Sequence, residues 1–130
     1  MQAKMKAAIY CRVAQKDDWA IEQQLQTMRR FAAAQGYEDC AEYLDNGASG
    51  LTLDRLALSR LNEAMANEEI NIVFVTSTSR IGRDMFSVFS WMNYAEMLGV
   101  EIVSQSEDIP HLTASLTALT DEFLKKRKRK

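Results

Sequence analysis

A chain of 130 residues, 47% of them hydrophobic and 26% charged, is long enough to bury one core and has the composition of a globular protein. No apolar run approaches the roughly 20 residues of a membrane-spanning helix, and two cysteines are too few for a disulfide framework, so we expect no membrane segment and a cytoplasmic location. The last six residues hold six of the 16 basic side chains, which leaves ten basic against 18 acidic ones elsewhere, a formal charge of −8. Bulk charge therefore gives no support for nucleic-acid binding by the body of the chain, and any phosphate contact must come from a local basic cluster or from the C-terminal segment.

The first predicted element is a buried strand over residues 7–14, a short apolar run containing Ile, Tyr and Val. Side chains of a strand alternate between its faces, so Tyr10, Arg12 and Ala14 are expected to point the same way. A hydroxyl and a guanidinium group can both contact a phosphate. The third position, where a nucleophile is expected, holds a methyl group.

A helix is predicted next, with Asp17 and Asp18 at its start and Gly36 just past its end. A short acidic strand follows over 41–45, and residues 46–50 form a loop with two glycines. The apolar face of this first predicted helix, which precedes the strand, consists of Ile21, Leu25, Met28 and Ala32.

The second half of the chain repeats the alternation. Asp54 is a predicted N-cap for a second helix, and residues 70–75 form the clearest strand. Residues 80–84 lead into a third helix, which Gly99 ends, and a fourth strand covers 100–103. The apolar stripes are Leu58, Leu61 and Met65 in the second helix and Phe86, Phe89, Met92 and Leu98 in the third.

Four alternations predict an α/β fold, a three-layer sandwich with a mainly parallel sheet of four to five strands. A long final helix is expected from about residue 113, after Pro110, and residues 1–130 are expected to form a single domain. Parallel sheets bind ligands at the carboxyl ends of their strands, beside a topological switch point. Three polar segments, 12–14, 45–50 and 79–83, should therefore meet in one crevice.

Four arginines in or beside these segments, Arg12, Arg55, Arg80 and Arg83, form a candidate phosphate site. Guanidinium groups bind phosphate oxygens bidentately and keep their charge near neutral pH, so they can stabilise a scissile phosphate without a metal. Arg80 and Arg83 are three residues apart at a predicted helix start and are expected to share a face. The alternative is that each is a surface arginine paired with a carboxylate.

Other kinds of site have little support. The chain lacks the glycine-rich phosphate-binding motifs of nucleotide cofactors, and the single histidine, His111, lies in a predicted loop, so we expect neither a cofactor nor a metal. Cys11 and Cys40 are too few for a zinc site. An acidic receiver-domain pocket would need an aspartate after the third strand, where residues 76–79 are Thr and Ser.

An aromatic cluster and the closing basic run can each be interpreted in two ways. The cluster of Phe86, Phe89, Trp91 and Met92 is expected to be core, with a partner-facing surface as the alternative. The closing basic run either complements the end of a helix dipole or lies along a DNA backbone, where it would add affinity without reading the base sequence. This run is Lys125, Lys126, Arg127, Lys128, Arg129 and Lys130.

In their order along the chain, several motifs resemble the catalytic domain of serine recombinases, the resolvase/invertase family. They occupy residues 10–13, 21–24, 45–50 with 54–55, and 79–84, followed by weaker likenesses at 100–102 and 107–109. The resemblance runs from about residue 7 to about residue 125, and the motifs are specific only jointly.

The resemblance implies a resolvase-like domain that cuts and rejoins DNA as a dimer that assembles into a tetramer. In that family a serine attacks the phosphodiester, leaving a 5′-phosphoserine link and a free 3′-hydroxyl, and no metal takes part. The final helix would be the family's long dimerisation helix, with its basic end over the DNA. The apolar character of the helix at 84–98 indicates a second contact between subunits, so a homodimer or tetramer through both helices is expected. By motif position the phosphate-binding residues are Arg12, Arg55, Arg80 and Arg83, supported by Tyr10 and Gln24.

Two departures from the family pattern change the expected activity. The nucleophile position is Ala14, whereas Ser49 and Ser79 align with other positions. The chain also ends where the family continues into a DNA-recognition domain, so weak sequence-specific binding is expected. Ala14 is either engineered to block cleavage or native to a non-cutting relative, and the sequence leaves both open.

Three hypotheses follow: a recombinase domain unable to cleave, a non-catalytic regulator that binds DNA or oligomerises with a recombinase, and a small anion-binding domain unrelated to DNA.

Overall fold

The computed structural model describes residues 6–47, 56–82 and 84–106. The described residues contain a four-stranded, fully parallel sheet with the strand order β2-β1-β3-β4 and three α-helices, so the predicted α/β alternation is confirmed. None of these helices is long and apolar enough to cross a membrane. The predicted final helix lies outside the described residues. The strands are β1 (Ala7–Val13), β2 (Cys40–Asn46), β3 (Ile72–Val75) and β4 (Glu101–Ser104), and the helices are α1 (Asp18–Ala34), α2 (Leu56–Ala66) and α3 (Met85–Met97).

Each face of the sheet carries its own apolar cluster. The predicted stripe of α1 packs on Ile9, Cys11 and Phe74, which point to one face. Tyr10 and Val73 point to the opposite face and pack against α2 and α3. Both faces of β1 are buried, and its sequence is accordingly almost continuously apolar, as is usual for parallel strands between two helical layers. The three-layer arrangement predicted from the sequence is therefore present.

The order of the strands creates an opening at the end of β1. The chain leaves β1 for β2 on one side and returns through α2 to β3 on the other, so β1 lies at the switch point. Pairing with β2 continues to Val13 opposite Asn46, whereas pairing with β3 extends only to Ile9 opposite Phe74. Among the described residues, no strand therefore covers one edge of the carboxyl end of β1.

The helix ends show local signals at work. Asp17 accepts a hydrogen bond from the amide of Ala20 and so caps α1, as predicted. Gly36 and Gly99 follow α1 and α3 with φ of 97° and 78°, the conformation expected of a glycine just past a helix. Glu68 occupies the same place after α2 with φ of 61°, which a side chain adopts only with strain. The predicted cap Asp54 lies outside the described residues.

Several predicted boundaries were wrong by one or two residues, including both ends of β2 and of β4. β1 ends at Val13 and not at residue 14, and β3 begins at Ile72 and not at residue 70. The third helix begins only at Met85, because the carboxylate of Asp84 caps its first amides. Thr78–Arg80 form a separate 3₁₀ turn. Arg80 therefore belongs to this turn and not to α3. Arg83, which was predicted to share a face with Arg80, lies outside the described residues.

Candidate functional site

Two arginines that are 68 residues apart in the sequence bind each other's backbone at the open end of β1. The guanidinium of Arg12 donates from Nε to the carbonyl of Arg80 at 3.0 Å and from Nη2 to the carbonyl of Ser79 at 2.9 Å. Arg80 donates from Nη1 to the carbonyl of Arg12 at 3.3 Å and from Nε to the hydroxyl of Thr76 at 3.2 Å. We call this pair the Arg12–Arg80 clasp.

Gln24 covers the backbone of Arg12 where β3 no longer pairs with it. Its Oε1 accepts from the amide of Arg12 at 3.0 Å, and its Nε2 donates to the carbonyl of Arg12 at 3.1 Å. The side-chain amide thus replaces the two hydrogen bonds that a neighbouring strand would supply. Gln23 is exposed. Gln24 therefore contacts the predicted site through the backbone of β1.

Tyr10 lies beneath this edge and is fully buried. Its hydroxyl donates to Oδ2 of Asp45 at 2.7 Å. The same carboxylate accepts from the amides of Ala57 at 2.9 Å and Leu58 at 3.1 Å, and so caps α2 from a distance. Tyr10 therefore connects β1 to β2 and α2, and its hydroxyl does not reach the surface.

Asp45 is a residue that sequence reasoning missed. Only 7% of Asp45 is exposed, and it lies opposite Arg12 in the register of β1 and β2. The sequence offered only a polar residue at the end of a strand as a signal. A helix cap supplied from 12 residues upstream has no local pattern.

Ala14 is the first residue after β1 and is exposed. The loop that follows β2 closes on the same place, because the amide of Gly47 donates to the carbonyl of Val13 at 2.9 Å. Gly47 has a φ of 98°, and a Cβ there would lie 3.3 Å from Lys16, so the backbone conformation and the close approach both favour glycine. Asn46 binds both aspartates at the start of α1. The predicted convergence of loops is thus present in the described residues.

The predicted site is only partly within the described residues. Tyr10, Arg12, Gln24 and Arg80 are linked at the carboxyl edge of the sheet, and Ala14 follows there directly. Arg55, Arg83 and the basic run Lys125–Lys130 lie outside the described residues. Two guanidinium groups held at one place favour an anion beside them. Within the described ranges, no group of three or more His, Cys, Asp or Glu side chains is placed to hold a metal ion.

The thiol of Cys11 is not available as a nucleophile near neutral pH. Its side chain points to the face covered by α1, and burial, with a smaller contribution from Glu42, raises its pKa to about 12. A thiol reacts as a thiolate, so Cys11 is inert near neutral pH.

Taken together, the parallel sheet, the switch point and the clasp define an α/β domain with a cationic site at the carboxyl edge of its sheet. The family described as "Resolvase, N terminal domain" matches residues 7–126. The chain therefore belongs to the resolvase N-terminal domain family, the serine recombinases. A comparison with curated proteins gave no match.

Several solved structures share this fold. The N-terminal catalytic domain of TP901-1 integrase is 23% identical, with a TM-score of 0.77 over 95% of this chain and 98% of that chain. The C-terminal catalytic domain of ISC1926 TnpA, an IS607-like serine recombinase, is 24% identical, with a TM-score of 0.72 over 93% and 80%. A resolvase family site-specific recombinase from Streptococcus pneumoniae is 23% identical, with a TM-score of 0.67 over 95% and 93%.

Proposed function

We propose that this chain is a serine recombinase catalytic domain that holds a DNA phosphate at the carboxyl edge of its sheet and is unable to cut the strand. The observation that supports this most directly is the position of Ala14, which is exposed and follows β1 immediately. Arg12, two residues earlier on the same strand, binds the backbone of Arg80. The sequence motifs that carry the family resemblance begin at this strand.

In the proposed site, the phosphate oxygens face the arginine set Arg12, Arg55, Arg80 and Arg83, with Tyr10 and Gln24 as supports. In a serine-bearing relative the hydroxyl oxygen would bond to phosphorus, the bond from phosphorus to the 3′-oxygen would break, and that oxygen would leave as a hydroxyl. The methyl group of Ala14 has no lone pair, so this covalent step is closed. Binding and charge stabilisation by the arginines remain.

The test restores the hydroxyl. An Ala14→Ser variant is fused to a DNA-binding domain of known target and incubated with duplexes in which two such targets flank a library of spacers. We expect a protein–DNA adduct that survives denaturation and leaves a free 3′-hydroxyl. Ala14→Gly is the matched control, because it also changes the side chain but supplies no nucleophile.

Absence of an adduct from a folded, DNA-bound Ala14→Ser fusion would argue strongly against recombinase chemistry. An equal adduct from Ala14→Gly would show that another residue attacks.

The proposal includes contact between the DNA backbone and the basic run Lys125–Lys130. Its support is charge: the remainder of the chain is acidic, so these six cations are its strongest attraction for a duplex. A version ending at Leu124 should bind duplex DNA with a weaker salt dependence. A cytoplasmic location belongs to the same proposal, since Cys11 and Cys40 are free thiols.

A second candidate is a non-catalytic regulator that assembles with copies of itself or with an active recombinase. Support comes from α3, which buries Trp91 and Met92 yet leaves Phe86 and Met97 each 78% exposed on its other side. A helix that is apolar on both sides usually has a partner on each. We therefore include a homodimer or tetramer through the 84–98 region and the final helix in the proposal.

Sedimentation equilibrium tests the assembly that the second candidate requires. Assembly that is lost in Phe86→Glu and kept in Leu56→Glu, an exposed apolar position on α2, would support α3 as the contact. A monomer at all concentrations, without recruitment of a recombinase, would exclude the regulator.

A further inference from the structure

We propose that Asn46 is a positioning residue: its side-chain amide holds the loop that carries position 14 and so sets where a hydroxyl at that position meets a phosphate. This inference rests on the proposed function and adds to it a residue outside the arginine set. Asn46 is the last residue of β2, whereas Ala14 follows β1.

The first observation is that two consecutive residues at the end of β2 hold both ends of the exposed stretch 14–16. The amide of Gly47 donates to the carbonyl of Val13 at 2.9 Å. The Oδ1 atom of Asn46 accepts from the amide of Asp17 at 2.8 Å. Residues 14–16 are exposed and lie between these two hydrogen bonds. The path of the loop at position 14 therefore depends on β2 as well as on β1.

The second observation is that Asn46 uses both ends of its side-chain amide. Its Nδ2 donates to Oδ1 of Asp18 at 2.7 Å, while its Oδ1 accepts from the amide of Asp17. A backbone amide only donates and a carboxylate only accepts, so this orientation of the Asn46 amide satisfies both partners. An alanine at position 46 would break both hydrogen bonds, and a carboxylate there would face the carboxylate of Asp18.

The third observation is that the end of the loop held by Asn46 is also the start of α1. Asp17, whose amide binds Asn46, accepts from the amide of Ala20 through its side chain and so caps the helix. The loop also packs closely on the end of β2, since a Cβ at Gly47 would lie 3.3 Å from Lys16. Asn46 therefore fixes the junction at which the loop ends and α1 begins.

The covalent step makes the position of this loop important. In a serine-bearing variant the attacking oxygen must lie in line with the bond that breaks, and a displacement of about 1 Å can cost on the order of 100-fold in rate. The residues that bind the phosphate do not correct such a displacement, because they fix the phosphate and not the loop. Loss of Asn46 should therefore slow the covalent step and leave binding of the duplex intact.

The test measures the single-turnover rate of adduct formation by the full chain carrying Ala14→Ser and fused to a DNA-binding domain of known target. In this background we expect Asn46→Ala to lower the rate about 10–100-fold and to leave the dissociation constant of the duplex unchanged. Partial unfolding would instead lower the final amount of adduct and not the rate constant of the folded fraction. Asn67→Ala, which changes an exposed asparagine just after α2, is the matched control and should keep the rate.

Exchanging two side chains tests whether the hydrogen-bond pairing itself matters. Asn46→Asp sets two carboxylates against each other and should be as slow as Asn46→Ala. Combining it with Asp18→Asn restores a donor opposite an acceptor and the original net charge, so the double variant should recover the rate to within about threefold. Asp18→Asn alone keeps an acceptor for Asn46 and should change the rate little. A double variant as slow as Asn46→Asp, or an Asn46→Ala variant with the original rate, would overturn the inference.

A second readout needs no DNA and no serine. Hydrogen exchange of the Asp17 amide should speed up at least about tenfold in Asn46→Ala and return to its original rate in the double variant. Unchanged exchange in Asn46→Ala would overturn this inference alone. If Ala14→Ser forms no adduct while the exchange rates change as expected, the proposed function fails, and the inference falls with it because Asn46 has no reaction to position.

Discussion

Asp45 provides the sharpest test of how the site is supported. Its buried carboxylate accepts from the hydroxyl of Tyr10 and from the amides of Ala57 and Leu58. A hydrogen bond to a charged acceptor contributes about 1.5–3 kcal/mol, and a lost helix cap costs about 1 kcal/mol. Because these contributions overlap, we expect Asp45→Ala to lower the free energy of unfolding by about 3–5 kcal/mol. That is a large part of the roughly 5–15 kcal/mol typical of a domain.

The assay is urea unfolding followed by circular dichroism, with Tyr10→Phe as the partner variant. Alone, Tyr10→Phe should cost about 1–2 kcal/mol, because it removes one hydrogen bond and keeps the ring. In the Asp45→Ala background the same change should cost close to zero, since the 2.7 Å acceptor is already gone. A loss below about 1 kcal/mol for Asp45→Ala, or a double variant equal to the sum of the singles, would refute the reasoning.

Three further predictions concern single residues. Glu68→Gly should raise the free energy of unfolding by about 0.5–1 kcal/mol, because glycine adopts a φ of 61° without strain. Glu68→Ala keeps a Cβ and should change the free energy of unfolding little. Urea unfolding measures both variants. Hydrogen bonds from the hydroxyl and amide of Ser87 hold the pKa of Asp84 below its usual value of 3.8. The stability that the ionised Asp84 carboxylate contributes is therefore present above pH 3.8 and is lost as the pH falls through the lowered pKa. Acid unfolding should show a weaker pH dependence in Asp84→Asn, and an unchanged profile would contradict this. At pH 8 an alkylating reagent should modify Cys40 before Cys11, since Cys11 is fully buried with a pKa of about 12 and Cys40 is partly exposed; mass spectrometry of digested protein would show the order.

The helices and strands were largely predictable because their signals are local. The apolar spacing of α1 matched its buried face, and Asp17, Gly36 and Gly99 cap helices where the sequence placed them. Capping depends on residues within one turn of the helix end, so no tertiary information is needed.

The third helix was harder to predict for a physical reason. Its residues are apolar almost all round, so periodicity did not reveal which face is buried. Trp91 and Met92 are core as expected, but Phe86 points away from the sheet. A cluster of neighbouring aromatic residues on a helix is therefore split between two surfaces.

The candidate site shows the same division between local and distant information. Its members could be named from sequence because the motifs identify residue types and their order along the chain. Their roles could not, since Arg12 and Arg80 meet only through the placement of β1 beside β3. The burial of Arg12 against the backbone of the turn could not be read from the sequence, and its predicted contact with a phosphate stays a prediction.

By itself, the sequence determined the parallel α/β alternation and the caps of α1 and α3. Only the tertiary structure decided which polar groups are buried and what they bind: the Arg12–Arg80 clasp, the cover that Gln24 provides and the cap that Asp45 supplies to α2. The physical reason is distance along the chain. Periodicity and capping act over a few residues, whereas these hydrogen bonds join residues 12 to 68 positions apart and exist only once the strands are in register.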